Sequence, residues 1–114
     1  MKKANIRPWG KFIILHEEKN TKVKKITVYP GQKLSYQLHK QRDEYWIITK
    51  GKLTIVLDDK ESIAKYGELK FIPRETNHRA INKTDDLVEF IEVQTGIYFG
   101  EDDISRLEDD YGRI

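Results

Sequence analysis

No cysteine occurs in the 114 residues. A disulfide framework and thiolate chemistry are thereby excluded, a reducing compartment fits, and any metal has to be held by nitrogen and oxygen. Long hydrophobic runs are missing too. FIIL (Phe12–Leu15) and WII (Trp46–Ile48) fall far short of the roughly 20 apolar residues that cross a bilayer. The opening MKKANIRPWGKF has lysines but no apolar stretch behind them, so a secretory leader is not expected. Nor is there a block of one charge. The 21 basic and 19 acidic residues are scattered, with a net charge of +2, which offers nucleic acid or an anionic membrane surface little to grip. Together these absences lead to a cytoplasmic protein with no nucleic acid and no membrane as partners.

What is present fits one domain over residues 1–114. Hydrophobic residues make up 38% and charged residues 35%; the charged share exceeds the usual quarter, yet enough Ile, Val, Leu and aromatic side chains remain to fill a core. Short β-rich segments recur, each ended by Gly, Pro, Asn or Asp: KFIILHEE, VKKITVY, KLSYQLH, EYWIITK, KLTIVLDD, ELKFIP, HRAINK and LVEFIEVQ. Strands at that spacing make a sandwich or barrel. Alternation puts Ile26 and Val28 on one face and Lys25 and Thr27 on the other. Turn chemistry falls at Asn20-Thr21, Pro30-Gly31, Lys50-Gly51, Asp58-Asp59 and Tyr66-Gly67. Lys22, Lys24 and Lys25 read as the solvated charge of an edge strand. The last segment, GEDDISRLEDDYGRI, changes character. Acids in its first turn, with Ile104, Leu107 and Tyr111 at helical spacing, predict a short C-terminal helical tail.

The stretch QLHKQRDEYW (Gln37–Trp46) concentrates the chemistry. Residues two apart on a strand share a face, so Gln37 and His39 project together. Lys40 to Asp43 can turn the chain, and Glu44 then opens the next strand within reach of the same interior. A fourth candidate donor, His78, follows FIPRETNH, where Pro73 ends one strand. Taken singly, each has a plainer reading as a structural or solvated polar residue. His16, without a companion, reads as surface, and Trp9, Trp46 and Tyr45 as packed rings.

The combined spacing is Gly31, Gln37, His39, Glu44, Gly51, then Gly67, Pro73, His78, Asn82. It resembles the two motifs of the cupin superfamily, in which a small barrel contributes both motifs to one metal. The resemblance implies an all-β, cupin-type double-stranded β-helix, or jelly-roll barrel. Two positions depart from the common pattern: Gln37, where many cupins have His, and Glu75, where the second motif commonly has Gly. RPWG (Arg7–Gly10), LSYQLHKQRDEYW (Leu34–Trp46), FIPRETNHRAIN (Phe71–Asn82) and IEVQTGIYFGEDDISRLEDDYGR (Ile91–Arg113) look like the isomerase domain of type II mannose-6-phosphate isomerases. That domain is often fused behind a mannose-1-phosphate guanylyltransferase domain. Here the chain begins almost at RPWG, so GDP-mannose synthesis is not expected of it.

The resemblance implies Gln37, His39, Glu44 and His78 as metal ligands, since this family reads Q-x-H where other cupins read H-x-H. Gln41 and Tyr45 stand where related sequences frequently carry further histidines. The cofactor implied is a divalent metal ion, zinc first, with manganese, cobalt, iron or nickel compatible with such donors. The activity implied is a sugar-phosphate isomerase interconverting mannose 6-phosphate and fructose 6-phosphate. Its base is left unassigned. A phosphate calls for guanidinium groups, for which Arg42 and Arg106 are the candidates, while Arg74 and Arg79 flank His78 and are expected to face solvent. Two other readings stay open: a non-catalytic sugar-phosphate-binding cupin serving a separate nucleotidyltransferase, and an Fe(II) dioxygenase using the same two-His-one-carboxylate face. Related barrels frequently pair, so a homodimer is expected.

Overall fold

The computed structural model describes residues 3–108. Eleven strands run through it: β1 (Ala4–Arg7), β2 (Gly10–Glu17), β3 (Thr21–Val28), β4 (Tyr36–His39), β5 (Arg42–Lys50), β6 (Lys52–Leu57), β7 (Lys60–Lys65), β8 (Leu69–Ile72), β9 (His78–Ile81), β10 (Val88–Gly96) and β11 (Ile104–Glu108). They form a six-stranded sheet ordered β1-β2-β3-β10-β5-β8 and a five-stranded sheet ordered β11-β4-β9-β6-β7, with every pairing antiparallel. Neighbours such as β3 and β10, or β4 and β9, are distant in sequence, as a jelly-roll barrel requires. Among the described residues no helix is long and apolar enough to cross a membrane.

Each of the eight expected segments contains a strand. The three strands without a sequence signal, β1, β7 and β11, are all sheet edges. Where two-residue turns join strands, the backbone shows why those residues were used. Asp58 and Asp59 both take positive φ (46° and 68°) in the β6–β7 hairpin, whose register closes at Leu57 opposite Lys60. Gly10, in the RPWG stretch, lies against β3 so closely that any Cβ would run into the Thr27 carbonyl oxygen.

Alternation then sorts side chains between the two faces of the six-stranded sheet. Ile26 and Val28 of β3, Trp46 and Ile48 of β5, and Val88 and Phe90 of β10 all point inward and meet Leu53, Ile55, Ile72 and Ala80. Val28, Ile48, Leu53, Ile55, Val88 and Phe90 are fully buried, each contributing about 1.5–3 kcal/mol of transfer free energy. Asn82 is buried at the end of β9, where its Nδ2 donates to the Val28 and Asp86 carbonyls and its Oδ1 accepts from the Thr84 backbone and hydroxyl. This motif residue therefore ties the second sheet to β3.

Three expectations need correction. The tail is not helical within the described residues: a single 3-10 turn, Glu101–Asp103, leads into β11, which pairs with β4 at Ile104 opposite His39 and Arg106 opposite Gln37. Open backbone on β4 outweighs the weak helical spacing of Ile104 and Leu107, and Tyr111 lies outside the described residues. The lysine run is not an edge either. β3 sits between β2 and β10, and Lys24, in phase with Ile26 and Val28, is buried with its Nζ 4.3 Å from the centre of the Phe12 ring. Tyr45 lies on the outer face of β5, stacked on Phe71, and is no core ring.

Candidate metal centre

The first-motif hairpin delivers two donors. β4 ends on His39, the chain turns, and β5 begins at Arg42, so His39 and Glu44 arrive almost fully buried and side by side, with His39 Nε2 3.1 Å from Glu44 Oε2. The turn is held from outside by the Asp103 carboxylate, which accepts from the backbone N–H groups of Lys40 and Gln41. His78 opens β9 directly opposite Gln37 of β4 and reaches to 3.9 Å from Glu44 Oε1. One ligand atom from each of His39, Glu44 and His78 lies within 4.8 Å of the others. The loop carrying His78 is pinned to the first motif because the Glu75 N–H donates to the His39 carbonyl.

Glu75 has φ +61°. A side chain rarely adopts that conformation without strain, which gives the physical reason why glycine is common at this position of the motif.

The protonation pattern suits a cation. His78 Nδ1 lies 2.9 Å from the Thr76 carbonyl, so it carries the proton and Nε2 presents its lone pair to the centre. His39 Nε2 lies 3.1 Å from Arg42 Nη2, which can only donate, and 3.1 Å from Glu44 Oε2, which can only accept when ionised. One nitrogen cannot answer both, whereas a cation shared by Nε2 and Oε2 satisfies the imidazole and the carboxylate together. Burial by itself raises the Glu44 carboxyl; the hydrogen bond with His39 and the positive charge around it, to which Arg42 contributes permanently, outweigh it and hold Glu44 well below the ordinary range. Burial also lowers the His78 imidazole, which favours the neutral, ligating form. Gln37 lines the same cavity, with its amide nitrogen donating to Ser35 Oγ at 2.9 Å, which frees the amide oxygen for another partner.

Behind the cluster lies polar machinery that the sequence reading did not single out. Trp46 Nε1 lies 3.0 Å from both Glu44 Oε1 and Glu92 Oε1, and Gln94 Nε2 donates to Glu92 Oε2 at 2.8 Å. Burial first, then the neighbouring Glu44 charge, pushes the Glu92 carboxyl up to about 8. Burial lowers the Lys24 ammonium, an effect partly offset by the charge of Glu92. A signal was available. Glu92 and Gln94 are in phase with Val88 and Phe90, and Lys24 with Ile26, so strand parity alone places all three inside.

The arginines divide. Arg42 is buried, with Nε on Glu44 Oε2 at 2.9 Å and Nη1 on the Phe99 carbonyl at 3.3 Å. Arg106 is half-buried on β11, and its Nε has no hydrogen-bond partner among the described residues. Arg74 faces solvent as expected and grips Asp43 through Nε and Nη2. Arg79 does not. It is buried, because the segment before β4 folds over β9 and the Leu34 carbonyl accepts from its Nε. His16 is exposed beside Glu18, and Trp9 and Trp46 belong to the core. All of this surrounds a cavity of about 70 Å³ whose wall carries Arg7, Lys24, Arg42, Arg79 and Arg106 against the two carboxylates Glu44 and Glu92.

A cupin-type barrel with a buried cluster of two histidines and a carboxylate is the class that fold and site define. Residues 1–109 match the family described as mannose-6-phosphate isomerase C-terminal, and the chain belongs to that family. It is 44% identical over 107 residues to the alginate biosynthesis protein AlgA of Pseudomonas aeruginosa, covering 94% of this chain and 22% of that one. It is 42% identical over 108 residues to the mannose-1-phosphate guanylyltransferase of Salmonella muenchen, covering 95% of this chain and 23% of the relative. The chain thus spans under a quarter of the length of these relatives. Among solved structures, the capsular polysaccharide assembling protein CapF of Staphylococcus aureus superposes with a TM-score of 0.81 at 20% identity, over 96% of this chain and 32% of that one. A sugar phosphate isomerase of the cupin superfamily from Silicibacter pomeroyi gives 0.71 at 21% identity, over 88% and 76%. At such identities the two structures show the fold alone.

Proposed function

We propose that this chain is a metal-dependent aldose–ketose isomerase acting on mannose 6-phosphate and fructose 6-phosphate. The observation that carries the reading is one cavity whose wall carries Glu44 and His78 of the His39–Glu44–His78 cluster together with five basic side chains. Gln37, His39, Glu44 and His78 would hold a divalent cation, zinc first among those that accept nitrogen and oxygen donors. When bound, such a cation supplies the electrophile that offsets negative charge developing on the sugar oxygens during enolisation. Arg106, whose buried Nε has no hydrogen-bond partner among the described residues, is assigned to the phosphate, and Arg42 to the same anionic end of the substrate. Of the acids and amines lining the cavity, Glu92 and Lys24 are left over once Glu44 serves the cation. The proton that moves between the two sugar carbons is assigned to this pair. Trp9, Phe12 and Ile26 wall the cavity and limit water around the reacting carbons.

The test is metal analysis of the purified protein followed by a coupled assay for fructose 6-phosphate formed from mannose 6-phosphate. Stoichiometric divalent metal is expected, with turnover that disappears on chelation and returns on adding the metal back. Sugar phosphate that raises the melting temperature without turnover, across zinc, manganese, cobalt and iron, would replace this reading with the non-catalytic binding cupin.

A further inference from the structure

Gln37 is the one proposed ligand whose donor depends on which way a side chain is turned. A primary amide carries an acceptor oxygen on one side and an NH2 group, donor only, on the other. Turned wrongly, it would aim two hydrogens at a cation. Ser35, two residues earlier in the chain and 1% exposed, decides the orientation. Gln37 Nε2 donates to Ser35 Oγ at 2.9 Å and lies 3.4 Å from the Ser35 carbonyl oxygen. A hydroxyl accepts or donates and would suit either end of the amide, but a carbonyl only accepts. The end of the amide at Ser35 is therefore the nitrogen. The oxygen is left to the cavity, whose wall includes Ser35, Gln37, Glu44 and His78. Strand pairing sets Gln37 of β4 between His78 of β9 and Arg106 of β11. Arg106 Nε, a donor on the adjoining strand, has no hydrogen-bond partner among the described residues, so it does not claim the amide oxygen.

We propose that Ser35 is the positioning residue that presents the Gln37 oxygen to a divalent cation. It touches no cation itself and acts through the amide alone. Residues two apart on an extended chain share a face, which is how a side chain just ahead of β4 meets one within it. Of the two contacts, the carbonyl one is long, so the hydroxyl does most to hold the amide. The proposal rests on the reading of Gln37, His39, Glu44 and His78 as one cation site, and owes nothing to the reaction carried out there.

Zinc affinity, measured on the metal-free full chain by competition with a chromophoric chelator, tests this without reference to turnover. Ser35→Ala should weaken zinc binding by about tenfold, the low end for a residue that orients a metal ligand, because the backbone carbonyl still favours the correct turn. Gln37→Ala should weaken it further. Adding Ser35→Ala to Gln37→Ala should then change affinity by no more than about twofold, since the amide through which Ser35 acts is gone. Ser35→Gly serves in the same cycle if the alanine variant does not fold. Equal losses from the Ser35 substitution in both backgrounds overturn the proposal, as does a Ser35→Ala chain that holds zinc as tightly as the wild type; the hydroxyl then has a packing role only. A wild type that binds none of zinc, cobalt and manganese overturns the cation site and this proposal with it. No sugar phosphate enters the measurement, so the expected cycle supports the role of Ser35 even where the isomerase assay is silent.

Discussion

The two ends of the barrel interior are built by the same three strands and could hardly differ more. Along its inward face β3 runs from Val28 through Ile26 to Lys24, β5 from Ile48 through Trp46 to Glu44 and Arg42, and β10 from Val88 through Phe90 to Glu92 and Gln94. One end is close-packed hydrocarbon; the other is a buried polar network around the candidate metal centre, in which His39 Nδ1, Gln94 Oε1 and Arg106 Nε have no hydrogen-bond partner among the described residues. Trp46 is the seam between them, its ring 4.9 Å from Phe90 and its N–H shared by the two carboxylates. Apolar packing is therefore concentrated at one end and the candidate site at the other, with β5 common to both.

Removing Glu44 should break the comparison most severely, because it strikes both properties at once. Glu44→Ala leaves Arg42, only 4% exposed, without its carboxylate partner, which should cost about 3–5 kcal/mol in denaturant unfolding of the metal-free protein. Metal analysis should show the cation lost, and the coupled assay no turnover. At the apolar end, Ile48→Ala should cost about 2–5 kcal/mol by opening a cavity in a fully buried cluster. Metal content of the folded fraction should stay at the wild-type level; a loss of metal there would mean that the two ends are not separable.

Acidity sharpens the contrast. In the fold Glu92 keeps its proton up to about 8, whereas an unfolded glutamate releases it near 4.5. Between those values the folded state holds a proton that the unfolded state has lost, so this group makes the metal-free protein less stable as pH rises through the window. Glu44 has the opposite sign: its depressed carboxyl stabilises the fold above the ordinary value, a contribution lost as pH falls through its folded value. Glu92→Gln should therefore gain several degrees in melting temperature relative to wild type between about pH 5 and pH 8, a window set by the raised carboxyl. A flat difference across that range would show that Glu92 is ionised in the fold. The smallest effect belongs to the loop ahead of His78. Glu75→Gly should relieve the left-handed backbone and raise stability by about 0.5–1 kcal/mol after the entropy cost of glycine, with metal stoichiometry unchanged.

Much of this was legible in the chain. Val88–Gly96 is readable because burial alternates along it and one face is inside, whereas Lys52–Leu57 keeps the alternation of Leu53, Ile55 and Leu57 although Thr54 between them is buried too. The edges were not: Lys60–Lys65 buries only Ala64, and β1 and β11 are likewise held by backbone bonds along one side. Backbone pairing leaves no residue-specific trace. The centre is legible as a family spacing, whereas the burial of Lys24, which reads as edge-strand charge, and of Glu92 is not, because buried charge is costly unless paired and the partners lie on other strands.

By itself the sequence determined which residues alternate, where the chain turns and which side chains can ligate a cation, since these follow from local periodicity and chemistry. Only the tertiary structure decided that Glu44, Glu92 and Trp46 share hydrogen bonds, that Arg79 is buried and that the tail adds a strand to β4. Those outcomes depend on which distant segments pair, and pairing is settled by the free energy of the whole barrel.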